Sequence, residues 1–183
     1  MEQSKNINRG TGAGGANTNL NGLSFENKFY KLFSNNINKK IIKYGYTQIS
    51  INNTELIYCK KSQFRNYMNS RYLTDYNIPV LSGCKNPDCV IIDIENKKIY
   101  IIEIKYQNSN GSTLEKIQTA CMKQENYNER YPNYNIEYIY CFSEWFKNNC
   151  YAELHYLKKK NIKYYFIDSD MSKLINYICN VSS

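Results

Sequence analysis

Histidine occurs once among the 183 residues, as His155, and that scarcity closes off several kinds of chemistry. A Ser-His-Asp or Cys-His mechanism would have to run through this single imidazole. It falls in an expected helix with no nucleophile beside it, and so reads as a structural or surface residue. The seven cysteines are odd in number, form no C-x-x-C pair and have no histidine-rich complement. A zinc centre is therefore not expected, and reduced thiols of an intracellular protein fit best. Cys121 and Cys141 fall in apolar patterns and read as core packing. There is no apolar run of about 18 residues and no apolar region at the N-terminus, so neither a membrane span nor secretion is expected. The glycines at 10, 12, 14 and 15 lack both a preceding strand and the Lys-Ser/Thr pair of a P-loop, which leaves little support for nucleotide binding.

What the chain does have is positive charge. A net charge of +8 and a pI near 9.0 favour a polyanionic partner. Of the clusters Lys39-Lys40, Lys60-Lys61 and Lys158-Lys159-Lys160, the last has a local explanation, because cations at a helix C-terminus meet the negative end of its dipole. The excess of Asn, Ile, Lys and Tyr is what an AT-rich genome produces, so the lysine count and the 19 tyrosines are partly codon bias. At this length one core is expected, with a flexible Gly-rich arm over residues 1–19 and a single domain over 20–183.

The informative stretch is 87–105. Residues 89–94 form an apolar, β-branched run, 95–98 read as a polar turn, and 99–105 form a second such run. Pairing the two as a hairpin brings Asp88 beside Glu103, and the two-residue period puts Glu103 and Lys105 on one face with Ile104 on the other. Two carboxylates and an ammonium then converge. Mg²⁺ takes hard oxygen ligands and is usually held by one or two carboxylates, water and substrate phosphate. Asp88 and Glu103 can be those carboxylates, while Lys105 can orient or deprotonate a water and meet developing charge. The plainer alternative is a hairpin ending in a surface salt bridge.

With Pro87-Asp88 and Glu103-Ile104-Lys105 in this setting, the chain resembles the PD-(D/E)XK nuclease superfamily, which includes most type II restriction endonucleases. The resemblance covers about 150 residues, over 20–168. It implies an α/β fold with a restriction endonuclease-like core: a helix, a central mixed β-sheet flanked by helices with the catalytic hairpin in its middle, then a helix and a further strand. It also implies a Mg²⁺-dependent endodeoxyribonuclease, with Mn²⁺ able to substitute, acting on double-stranded DNA. Asp88, Glu103 and Ile104 are then the metal contacts. Glu26, on the first helix, is either a further acidic member of the site or a solvated helix charge. Gln107 either touches water or phosphate, or marks the strand end. A homodimer is expected, since two symmetric sites cut both strands of a palindrome most simply. A structure-specific or repair nuclease of the same fold, or a binding module without the chemistry, remain as alternatives.

The flanking segments read as follows. A helix is expected over 21–33, with Leu23 or Phe25, Phe29, Leu32 and Phe33 on one stripe. Residues 46–51 and 55–60 suggest a first hairpin, and 63–76 have no clean period. Ser112 or Thr113 can cap a helix carrying Leu114, Ile117, Cys121 and Met122, with Glu115 completing a capping box. A strand over 136–142, a helix from Ser143 to the lysines at 158–160, a strand over 162–167 and a short helix after Ser169 complete the α/β pattern. For DNA contact the candidates are Arg9, Asn17 and Asn19 in the arm, if it lies on DNA rather than free in solvent, together with Arg65, Arg71 and Lys85 before the motif and Lys116 after it.

Overall fold

The computed structural model describes residues 15–35, 37–41, 46–51, 54–72, 86–109 and 113–179. Arg9, Lys85 and Ser112 therefore lie outside the described residues. Among those described, seven strands form one sheet in the order of the chain: β1 (Asn38–Ile41), β2 (Thr47–Ile51), β3 (Thr54–Lys60), β4 (Cys89–Asp93), β5 (Lys98–Lys105), β6 (Asn135–Phe142) and β7 (Lys163–Phe166). Neighbours from β1 to β5 are antiparallel, and β6 and β7 run parallel to β5. The sheet is therefore mixed, as expected, with the β4–β5 hairpin in its middle. Helices α1 (Gly15–Ser34), α2 (Ser62–Tyr72), α3 (Thr113–Gln118), α4 (Ala120–Arg130), α5 (Trp145–Asn149), α6 (Tyr151–Lys159) and α7 (Ile167–Ile178) complete the chain.

The central strands are apolar on both faces because helices cover both faces. On one side Val90, Ile92, Ile99, Ile101, Tyr138 and Tyr140 meet Phe64 and Met68 of α2, Tyr127 of α4 and Leu157 of α6. On the other, Cys89, Ile91, Ile102, Ile104 and Cys141 meet Phe25, Phe29 and Phe33 of α1 and Leu174 and Ile178 of α7. The hairpin closes through Asp93, whose buried carboxylate accepts the Asn96 amide N–H at 2.9 Å and its side-chain N–H at 2.8 Å. Lys97 follows in left-handed geometry, φ 51°, the turn that returns the chain in register.

Several boundaries differ from expectation. Helix α1 begins at Gly15, so Asn17 and Asn19 lie on its backbone rather than in an arm. Its buried stripe is Phe25, Phe29 and Phe33, while Leu23 is exposed. The helix expected across 113–122 is two, broken at Thr119, which shifts the phase and leaves Met122 exposed. The long helix after Ser143 is also two, α5 and α6, because Cys150 leaves helical geometry at φ −131°, ψ 44°. Strand β7 stops one residue early, since the Asp170 carboxylate reaches back to the Phe166 N–H and starts α7 at Ile167.

Candidate active site

Asp88 sits where three elements meet. Pro87, with no N–H to donate, leads into β4, and the Asp88 carbonyl accepts the Lys61 N–H at 3.4 Å just beyond β3. From α1, the Tyr30 hydroxyl donates to the same carbonyl at 2.9 Å. The side chain is fixed separately: Asp88 Oδ2 accepts the Ile104 N–H at 2.8 Å across the hairpin. Backbone and carboxylate are thus both held before any ligand arrives.

The hairpin register pairs Cys89 with Ile102, so Asp88 stands opposite Glu103. Glu103 and Lys105 share the face that carries Ile99 and Ile101, and Ile104 turns into the core beside α1. Lys105 Nζ lies 2.7 Å from Glu103 Oε1, 3.6 Å from Asp88 Oδ2 and 3.3 Å from the Ile104 carbonyl oxygen. All three charged side chains are less than a fifth exposed. One cation is therefore surrounded by three hard oxygens, from the same three residues that the sequence nominates for metal. Burial pushes the Asp88 carboxyl up; Glu103 and Glu26 add to the rise, and Lys105 and the Ile104 amide oppose it.

Glu26 comes in from α1, its carboxylate 3.0 Å from Lys61 Nζ and near enough to act electrostatically on both Asp88 and Tyr30. Gln107 lies just past β5, where the Ser143 hydroxyl accepts its N–H and donates to its carbonyl. Its side-chain amide donates to the Ser109 carbonyl, anchoring the exit loop. Arg65 is exposed and donates to Asn86 Oδ1 at 2.7 Å, next to the motif. Lys116 is exposed on α3. Arg71 lies in the last turn of α2.

Sequence reasoning missed Lys123, which α4 brings to 3.7 Å from Glu103 Oε1. The signal was there: Lys123 is three residues from Ala120 and four from Tyr127, both buried on the inward stripe of α4. It also missed Tyr30, which lies one residue off the Phe25–Phe29–Phe33 stripe and looks like ordinary helix packing.

Asp88 and Glu103 supply carboxylate oxygens and Ile104 a carbonyl, the donor chemistry a hard divalent cation takes. Among the described residues no three His, Cys, Asp or Glu side chains gather as a metal cluster, so any ion here would complete its shell with water and substrate. Fold and site together define an α/β protein with a carboxylate pair and a lysine at the end of its central hairpin. The sequence matches no protein-family model and no curated protein.

Proposed function

We propose that the chain is a metal-dependent endodeoxyribonuclease of the PD-(D/E)XK kind, cutting double-stranded DNA at specific sites as a homodimer in the manner of type II restriction endonucleases. The observation that carries this reading is the Lys105 ammonium ringed by Asp88, Glu103 and Ile104 oxygens at the end of a central hairpin. The element order supports it as well, since α1 precedes the mixed sheet, α3 and α4 follow the Lys105 strand, and β6 comes next.

Asp88, Glu103 and the Ile104 carbonyl would hold Mg²⁺, or Mn²⁺ in its place. When bound, the ion would lower the pKa of a coordinated water and neutralise charge on the phosphate. Lys105, with three donors on one ammonium, orients the attacking water and meets charge developing on the phosphate oxygens. Lys123 shares Glu103 with Lys105, keeping that carboxylate compensated while Lys105 turns to substrate. Tyr30 and the Ile104 amide keep Asp88 from swinging out of place, the role outer hydrogen bonds play around metal ligands.

The test is incubation with a plasmid of known sequence in Mg²⁺ and, separately, in EDTA. Discrete fragments in Mg²⁺ alone, lost in Asp88→Ala, are the expected result. A smear identifies a non-specific nuclease. A plasmid left intact in Mg²⁺ and Mn²⁺, with a mobility shift, means a binding module and ends the nuclease reading.

A further inference from the structure

The inward face of α4 carries two cations. Ala120, Lys123, Tyr127 and Arg130 fall on one stripe, and Ala120, Tyr127 and Arg130 are buried there. Lys123 has the Glu103 carboxylate. Among the described residues Arg130 has no carboxylate partner. It is only 8% exposed, and its guanidinium carbon lies 5.7 Å from the Tyr131 ring. Arginine is almost never buried this far without a partner, and its nitrogens are not sealed from solvent, so a ligand arriving from solvent can reach them. The space beside it is suited to an anion.

That space is a cleft between α2 and α4, where Arg130 is joined by Arg65, Asn86 and Pro87, with Phe64 and Tyr127 as walls. Arg65 Nη2 donates to Asn86 Oδ1 at 2.7 Å, which occupies the amide's oxygen and leaves its NH₂ as a donor. Both guanidinium groups and that amide are donors. The interior volume is about 10 Å³, room for one water-sized group. One oxygen of an oxyanion fits there. Pro87 immediately precedes Asp88, so the cleft opens one residue from the carboxylate pair.

We propose that Arg130 and Arg65 form a phosphate subsite that grips a DNA phosphate flanking the one being cut. The identity of this ligand rests on the nuclease reading; the anion site itself rests on the cleft. A guanidinium fork matches phosphate geometry with two parallel donors. Holding a neighbouring phosphate sets the register of the strand against Asp88 and Glu103 without reading any base.

The test has two arms. In the first, the melting temperatures of wild type, Arg130→Gln and Arg65→Gln are compared in inorganic phosphate and in chloride of equal ionic strength. Phosphate raises that of the wild type, and the increment shrinks in both variants. An equal increment in all three overturns the subsite. In the second arm, binding of labelled duplexes in EDTA is followed across salt concentration. Arg130→Gln loses about 0.9 from the slope of log K against log salt, and affinity falls about tenfold at 0.1 M salt for every sequence tested. The Arg65→Gln/Arg130→Gln double variant loses no further slope, because both arginines hold one phosphate. An unchanged slope overturns the proposal, and so does a loss confined to one sequence. Failure of the nuclease reading looks different: wild type leaves duplex uncut in Mg²⁺ and in Mn²⁺, whether or not it binds it, yet phosphate still raises its melting temperature through Arg130. Arg65 is exposed, so Arg65→Gln keeps both arms decisive should Arg130→Gln fail to fold.

Discussion

Glu103 carries the ammonium groups of both Lys105 and Lys123 on the same oxygen. Its removal has two opposite effects. Under the proposed function Glu103→Ala takes away a metal-holding oxygen, so cleavage in Mg²⁺ is lost. It also frees two cations and removes a charge that repels phosphate, so duplex affinity in EDTA rises above wild type; equal or weaker binding would contradict this arrangement. Lys105→Ala separates chemistry from adhesion. Single-turnover cleavage of bound DNA falls by about 10² or more, the scale for losing a charge stabiliser, while affinity changes little. A loss of affinity with the bound-state rate unchanged would make Lys105 a clamp. The sequence disclosed Asp88, Glu103 and Lys105 because a two-residue period leaves only one way to place them. Lys123 and Arg130 are legible too, though by a different rule: a cation on a buried helical stripe is a request for an anion. Tyr30 is not legible, because its value lies in a hydrogen bond to the carbonyl of a residue 58 positions away.

At the scale of elements, local rules succeeded where a turn or cap had a single strong determinant. The hairpin read correctly from its apolar runs and polar turn. Helix α2 did not, although Phe64, Tyr67 and Met68 give it a buried face, because the tyrosines and arginines around them blur the contrast. Its position is set by the sheet rather than by its own pattern. The end of α6 is well determined: Asn161 stands at φ 56°, its N–H bonds the Lys158 carbonyl at 3.1 Å, and the Ile162 N–H bonds that of Leu157 at 2.9 Å. This is a Schellman stop, with Ile162 and Leu157 both in the core beneath it. Asn161→Val forces a branched residue into left-handed geometry and costs about 1–2 kcal/mol in chemical denaturation, whereas Asn161→Gly costs almost nothing. The start of α7 responds to acid instead. Burial pushes the Asp170 carboxyl up, but hydrogen bonds from Lys173 and the Phe166 N–H outweigh it and hold it below the ordinary value. A carboxyl lower in the folded state stabilises above its unfolded pKa of about 3.9, and that contribution fades as pH falls through the folded value. Asp170→Asn is therefore less stable than wild type at pH 6, and the gap closes in melts taken towards pH 2. A gap independent of pH would mean that the side chain acts through packing alone.

For the molecule as a whole, one sheet divides two cores. Its composition could not have revealed which helices cover which face, because β4, β5 and β6 are apolar on both. What assigns the faces is register, and the hairpin shows it within two residues. Ile101 points into the core under α2, α4 and α6, and Ile102 into the core under α1 and α7; both are fully buried. The site depends on both layers at once, since α1 delivers Tyr30 and Glu26 from one side and α4 delivers Lys123 from the other. If the layers fold as one unit, Ile101→Val and Ile102→Val each cost about 0.5–1.5 kcal/mol and each shifts a single cooperative transition rather than splitting it. The double variant should lose the sum of the two, within about 0.5 kcal/mol, because neighbours in sequence that face opposite cores share no packing partners. Two separate transitions, or a double variant far from additive, would show that the layers melt independently or that the sheet transmits strain between them.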